Sequence, residues 1–143
     1  YKRFVDTLEK FPCKGFVRVC ADSPLIAPDL LERGCKIFLD NEFDIVTNTF
    51  PRSFPRGQYV EVIRTNSFIN TYRPSLRAEQ LEHITQIFYD NSKDFKIHNF
   101  SNPEDLSNHN LCIDTKEDLE RVENILSKNG QPPKWMQFYN NDQ

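Results

Sequence analysis

Hydrophobic positions along the chain change period repeatedly, from helical spacing to near-continuous or alternating runs and back. Phe4, Val5, Leu8 and Phe11 share one side of a helix over residues 1–11. Phe16, Val17 and Val19 then form a strand-like run that ends in Asp22-Ser23-Pro24. Pro28 suits a first helical position and Asp29 favours the positive helix start. Leu30, Leu31, Cys35, Phe38 and Leu39 follow at helical spacing and are expected to cover one face of a sheet. Phe43 to Thr47 reads as a second strand, and the loop 48–56, with two prolines and two arginines, is a candidate lid. Gly57 supplies a turn, and Tyr59 to Ile63 alternates as a third strand.

The second half repeats the alternation. Thr65 is placed to cap a short helix through Phe68 and Ile69, and Arg73-Pro74-Ser75 breaks the chain. A longer helix follows with Leu81, Ile84, Ile87 and Phe88 as its buried stripe, which leaves Glu82 and His83 beside the stripe. Phe95 to Phe100 alternates as a strand, and Asn102-Pro103-Glu104-Asp105 makes a turn. Leu111-Cys112-Ile113 leads into Asp114-Thr115 and a helix carrying Leu119, Val122, Ile125 and Leu126. Thr115 with Asp118 resembles a capping box, and Gly130 suits the helix stop. Strands alternating with helices predict an α/β fold.

Composition narrows the class. With 143 residues, 38% hydrophobic and 27% charged, the chain suits one globular domain with a core of its own. Residues 1–130 form that domain, and 131–143 make a tail with Trp135, Met136, Phe138 and Tyr139 among polar residues. A net charge of −3 with dispersed basic residues argues against nucleic-acid and membrane-surface partners. No apolar run reaches the roughly 18 residues of a membrane span, and no charged-then-apolar signal opens the chain, so a cytoplasmic location is expected. Cys13, Cys20, Cys35 and Cys112 form no C-x-x-C pair and read as buried free thiols. The chain opens at Tyr1 inside a helix, as a piece of a longer domain would.

Candidate chemistry centres on two acids. Asp22 and Asp114 each close a strand-like run and face the next turn, where open α/β sheets keep their ligands. Two carboxylates about 4 Å apart repel by about 4 kcal/mol at an effective dielectric near 20, so a shared site calls for a cation or a proton. Magnesium takes one or two carboxylates and leaves its other positions to water and phosphates, which matches a site with two candidate acids. The alternative is structural, with Asp22 and Ser23 shaping the turn before Pro24 and Asp114 capping a helix beside Thr115. Arg52 and Arg56 are either an anion grip or solvated side chains. Phosphate-loop, dinucleotide and nucleophile-elbow motifs are absent, and His83, His98 and His109 lack zinc spacing.

Six words in series carry a resemblance. They are Arg18-Val19-Cys20-Ala21-Asp22-Ser23-Pro24-Leu25-Ile26, Asp44-Ile45-Val46-Thr47-Asn48-Thr49, Gly57-Gln58-Tyr59-Val60-Glu61-Val62, Glu82-His83-Ile84-Thr85, Asn102-Pro103-Glu104-Asp105-Leu106-Ser107 and Ile113-Asp114-Thr115-Lys116-Glu117-Asp118-Leu119. From about Tyr1 to Gly130 the chain closely resembles the spore-coat polysaccharide F-type cytidylyltransferases, relatives of the CMP-KDO and CMP-acylneuraminate synthetases. The resemblance implies a Rossmann-like nucleotide-diphospho-sugar transferase fold, with a mixed, mostly parallel sheet flanked by helices. It also implies transfer of CMP from CTP to a sugar or sugar acid with release of pyrophosphate, for surface polysaccharide or glycan synthesis. Magnesium would be held by Asp22 and Asp114, the catalytic pair. Glu61 and His83 match positions on the sugar side of the cleft, and Ser23, Arg52 and Arg56 complete the substrate-binding candidates.

The family's front half, with its Arg-x-Gly-Ser-x-Arg-Leu-Pro-x-Lys nucleotide loop, is not among these residues. The resemblance therefore implies a carboxyl-terminal half, inactive by itself, whose unpaired sheet edge favours a homodimer. Tyr59 stands where relatives commonly have Asp, and Ala21 where many have Gly. A different class of reading takes the short chain as a non-catalytic binding or dimerisation module.

Overall fold

The computed structural model describes residues 1–73 and 75–129. Pro74, Gly130 and the tail 131–143 lie outside the described residues, so the expectations for the helix stop and the aromatic tail are not addressed. The elements run α1 (Lys2–Lys10), β1 (Gly15–Arg18), α2 (Pro28–Asp40), β2 (Ile45–Thr47), β3 (Glu61–Arg64), α3 (Thr65–Thr71), α4 (Ala78–Glu82), α5 (Gln86–Asp90), β4 (Ile97–Asn99) and α6 (Lys116–Asn129).

The four strands form one mixed sheet in the order β1-β3-β2-β4. β3 pairs antiparallel with both β1 and β2, and β2 pairs parallel with β4. The sheet is mixed, as expected: β1, β2 and β4 share one direction and β3, between β1 and β2, runs against them, so two of the three pairings are antiparallel.

Alternate residues of the central strands enter two cores. Val46 and Val62 face a cluster with Leu30 and Phe38 of α2 and with Val122 and Ile125 of α6. Ile45 and Ile63 face the opposite cluster, with Val5 and Leu8 of α1, Phe68 of α3 and Ile87 and Phe88 of α5. Successive side chains of a strand point to opposite faces, so two helical layers cover the sheet. α2 lies close against it because Gly34 leaves room: a Cβ there would come within 2.6 Å of Val60 Cγ1.

Three expectations change. Leu39 is 65% exposed and Leu119 41%, so each falls outside its helix's buried stripe. The single helix predicted beyond Ser75 is two short ones, α4 and α5, broken at residues 83–85. Gln80 Nε2 donates to Asp90 Oδ2 at 2.9 Å, which ties the pair together, and Gln86 Nε2 holds Asp90 Oδ1 at 2.8 Å within α5. The break buries Ile84 and Thr85 and leaves Leu81 exposed. Among the thiols Cys112 is buried, Cys20 and Cys35 are half-buried, and Cys13 is exposed, so the expectation of buried cysteines holds for one. No described helix is long and apolar enough to cross a membrane.

Candidate active site

β1 ends at Arg18, and the turn beyond it carries Asp22 to the rim of the sheet. The amide of Ile113 donates to the Asp22 carbonyl at 2.8 Å, which brings the turn that holds Asp114 beside the turn that holds Asp22. Both side chains are exposed. Asp22 Oδ1 accepts from Ser23 Oγ at 2.8 Å, and Asp114 Oδ2 accepts from Arg56 Nη2 at 3.2 Å. The second oxygen of each carboxylate has no hydrogen-bond partner among the described residues. Buried Cys112 lies between them, its thiol pushed up first by burial and then by the charges of Asp22 and Asp114.

Two spare carboxylate oxygens from neighbouring turns suit a hard divalent cation. Among the described residues no group of three or more acidic, histidine or cysteine side chains could enclose a metal. The donor set therefore fits an ion that takes one or two carboxylates and completes its shell elsewhere, as magnesium does. Thr115 and Asp118 make the expected capping box, with Asp118 N donating to Thr115 Oγ1 at 3.2 Å and Thr115 N to Asp118 Oδ2 at 2.9 Å. Asp118 Oδ2 also accepts from Asp114 N at 3.1 Å. The backbone of Asp114 is held by the helix start while its side chain stays free of capping duty.

The loop 48–56 is not the lid that its prolines and arginines predict. Phe50 N donates to Asn99 Oδ1 at 2.9 Å, Leu106 N to Ser53 O at 2.9 Å and Arg56 N to His109 O at 2.9 Å. Phe54 is buried in the first core cluster. Pairing at both ends and in the middle fixes the loop. Leu111 N returns a bond to Arg56 O at 2.8 Å, so Arg56 is zipped to the segment that leads to Asp114. Gly57 makes the close approach possible with φ 93°, and a Cβ on it would meet Leu111 C at 2.8 Å.

Buried amides hold the other side of the rim, and composition offered no signal for them. Gln58, fully buried, donates to Leu25 O at 2.7 Å and accepts from Ala27 N at 2.9 Å, pinning the segment that follows Asp22 and buried Ser23. Asn48 donates to Gln58 O at 2.6 Å and accepts from Val60 N at 2.9 Å.

Glu61 belongs to a separate cluster at the carboxyl end of the same sheet. It pairs across the strands with Arg18, whose Nη1 lies 2.8 Å from Glu61 Oε2, and it accepts from the Tyr89 hydroxyl at 2.6 Å. Burial, followed by the Glu61 charge, pushes the Tyr89 hydroxyl far up, so it stays a donor. Thr47 Oγ1 lies 3.1 Å from the same hydroxyl oxygen, whose single proton is engaged in the shorter bond to Glu61. Arg18 ends β1 and Asp22 lies on the turn that leaves it, which sets this cluster next to the acid pair. Arg18 and Tyr89 were missed from the sequence because the pairing needs strand register and an α5 contact. His83 is the exposed C-terminal cap of α4 and takes part in none of these contacts. Arg52 is exposed, with its guanidinium 4.8 Å from the centre of the Tyr59 ring.

No protein-family profile matches the chain. It is 28% identical over 134 residues to the spore coat polysaccharide biosynthesis protein SpsF of Bacillus subtilis, covering 92% of this chain and 55% of that protein. An uncharacterised protein of Methanocaldococcus jannaschii is 27% identical over 120 residues, covering 82% of this chain and 48% of that one. The chain thus spans about half the length of the curated relatives it matches. A cytidylyltransferase from Leptospira borgpetersenii superposes with a TM-score of 0.87 at 26% identity, over 97% of this chain and 60% of that one. The resemblance seen in the six words therefore has support from sequence and from structure: the chain is similar to a spore coat polysaccharide biosynthesis protein and shares the α/β fold of a cytidylyltransferase.

Proposed function

We propose that the chain forms part of a magnesium-dependent cytidylyltransferase that joins CMP from CTP to a sugar or sugar acid and releases pyrophosphate, for surface polysaccharide synthesis. The observation that carries this reading is the Ile113 N to Asp22 O bond of 2.8 Å, which sets two exposed acids side by side at the sheet's rim. The likeness to a cytidylyltransferase supplies the reaction class.

In this reading Asp22 and Asp114 hold the ion through the oxygens left without partners. The ion supplies charge neutralisation and alignment of the phosphates for in-line attack. Ser23 fixes the Asp22 carboxylate, and the capping box fixes the Asp114 backbone, so both acids are preorganised. Arg56 balances Asp114 and stands beside the space where phosphate charge would gather. Glu61 already has both oxygens engaged, so it holds Arg18 and Tyr89 in place and reaches a sugar only through them. His83 is a weaker candidate for the sugar side because it stands outside these contacts. Cytoplasmic location and homodimer formation complete the proposal; exposed Val17 of the outer strand β1 and Val19 just beyond it favour the latter.

The test is release of pyrophosphate from CTP with a panel of neutral and acidic sugars, measured on the full reading frame that contains the chain. Release that requires both magnesium and a sugar is the expected result. No release with any sugar, from protein that is folded and magnesium-loaded, overturns the reading and favours a non-catalytic binding module.

A further inference from the structure

We infer that Arg18 contacts the second substrate, the acceptor sugar, and that Tyr89 is the positioning residue that holds Arg18, through Glu61, so that its remaining N–H groups donate to an oxygen of that sugar. The inference rests on the cytidylyltransferase reading for the identity of the substrate, and it moves the contact from Glu61 to Arg18.

The last rung of the sheet is polar across its whole width. Arg18, Glu61, Thr47 and Asn99 are register partners from β1 through β3 and β2 to β4. The preceding rung on the same face pairs Phe16, Ile63, Ile45 and Ile97 and is wholly apolar. Polar groups at this depth must be paired or must meet a ligand, and open α/β sheets keep their ligands beyond this end. Glu61, 4% exposed, is fully engaged: Arg18 Nη1 donates to Oε2 at 2.8 Å and the Tyr89 hydroxyl to Oε1 at 2.6 Å. Tyr89 is fixed in turn, with its ring stacked on Phe50 at 4.9 Å and Thr49 Oγ1 at 3.3 Å from its hydroxyl oxygen. Glu61 cannot turn to a ligand without stranding one of these partners.

Arg18 is in the opposite position. A guanidinium carries more N–H donors than one carboxylate oxygen can accept, and among the described residues Glu61 is its side chain's only hydrogen-bond partner. The one buried side-chain nitrogen without a partner among the described residues is Arg121 Nε, so the unused nitrogens of Arg18, whose side chain is 24% exposed, reach solvent. A guanidinium held in place with free donors loses little freedom on binding. Because Glu61 balances its charge, Arg18 acts by the direction of its fork rather than by drawing in free anions. The polar rung lies on the face that α1, α3 and α5 cover, whereas Asp114 opens into α6, which covers the other face. Phosphates gathered at the acid pair and a sugar at Arg18 would thus approach the rim from different sides.

The test combines steady-state kinetics of the full-length protein, using the sugar from the neutral and acidic panel that gives the fastest release, with NMR of the Arg18 side-chain N–H groups in the same protein. Arg18→Lys, which keeps the charge and loses the fork, should raise the KM for the sugar about 10-fold and leave the KM for CTP unchanged. Tyr89→Phe should raise the sugar KM about 3-fold and should average Arg18 N–H signals that are resolved in the wild type. An Arg18→Lys penalty confined to acidic sugars identifies the accepted oxygen as a carboxylate's, and one shared by neutral sugars as a hydroxyl's. Arg18→Lys retains a cation for Glu61, so it decides the matter even where Tyr89→Phe fails to fold.

An unchanged sugar KM in Arg18→Lys overturns the inference, as does an equal rise in the KM for CTP, the mark of a general loosening of the rim. Averaged Arg18 signals in the wild type overturn the positioning by Tyr89. Absence of turnover, with resolved signals that Tyr89→Phe averages, removes the cytidylyltransferase reading and the sugar contact with it, and leaves Arg18 held by Tyr89. Turnover with an Arg18→Lys sugar KM equal to wild type does the reverse.

Discussion

Two sets of carboxylates stand at the same rim of the sheet and are treated in opposite ways. Glu61 is 4% exposed, with one oxygen on Arg18 at 2.8 Å and the other on Tyr89 at 2.6 Å. Asp22 and Asp114 are exposed, each with one oxygen used locally and one left over. A buried acid whose lone pairs are taken holds other groups in place, and losing its partner leaves an uncompensated charge. An exposed acid with a spare oxygen contributes little to folding and is available to a cation. Proximity to the active rim therefore does not decide the role of an acid; its unspent acceptors do.

The sharpest test of that contrast is Asp22→Asn. On the proposed reading it should lower turnover of the full-length protein by about 100-fold or more, the effect of losing several kcal/mol of charge stabilisation, while the melting temperature hardly moves. Turnover at the wild-type rate would break the contrast outright. Glu61→Gln should behave in the opposite sense, costing about 2 kcal/mol of stability in urea titration because half-buried Arg18 loses its counter-charge. A variant as stable as wild type would make Glu61 a free substrate ligand after all. Gly57→Ala should cost about 2 kcal/mol, since the positive φ and the Leu111 backbone both resist a Cβ, and it should disturb Arg56 and Asp114 together. Calorimetric melting reads the first effect, and magnesium-dependent turnover of the full-length protein the second.

The smallest expected effect comes from the support beneath Asp114. The Asp118 carboxyl is held down at about 2 against its ordinary 3.8, first by the Asp114 amide and then by Arg121. Because the folded value lies below the unfolded one, this contribution is present above about pH 4 and is lost as the pH falls through about 2. Asp118→Asn should flatten the dependence of melting temperature on pH within that window alone. An unchanged acid profile would remove Asp118 as a titrating cap.

Much of this was legible before any coordinates. Period changes located the elements, and the Asp22 and Asp114 words marked both acidic turns. The loop 48–56 was misread because proline and arginine content describes local stiffness and charge, whereas its restraint comes from Asn99, Leu106 and His109, about 50 residues away in sequence. α4 and α5 were merged for a related reason: Gln80 and Asp90 reshape the segment by contacts that periodicity does not encode. Arg18 and Gln58 stand inside the quoted words without a role marked for either, and Tyr89 lies outside them.

What the amino-acid sequence determined by itself is the α/β alternation and the identity of the acids that close the strand-like runs, because both depend on neighbours close along the chain. The tertiary structure alone decided which polar groups meet. It joined Ile113 to Asp22, buried Glu61 between Arg18 and Tyr89, and laid Arg52 over Tyr59. A carboxylate's chemistry follows from how many of its acceptors remain unpaired and how much water reaches it, and those are properties of residues far apart in sequence brought together by the packing of the sheet.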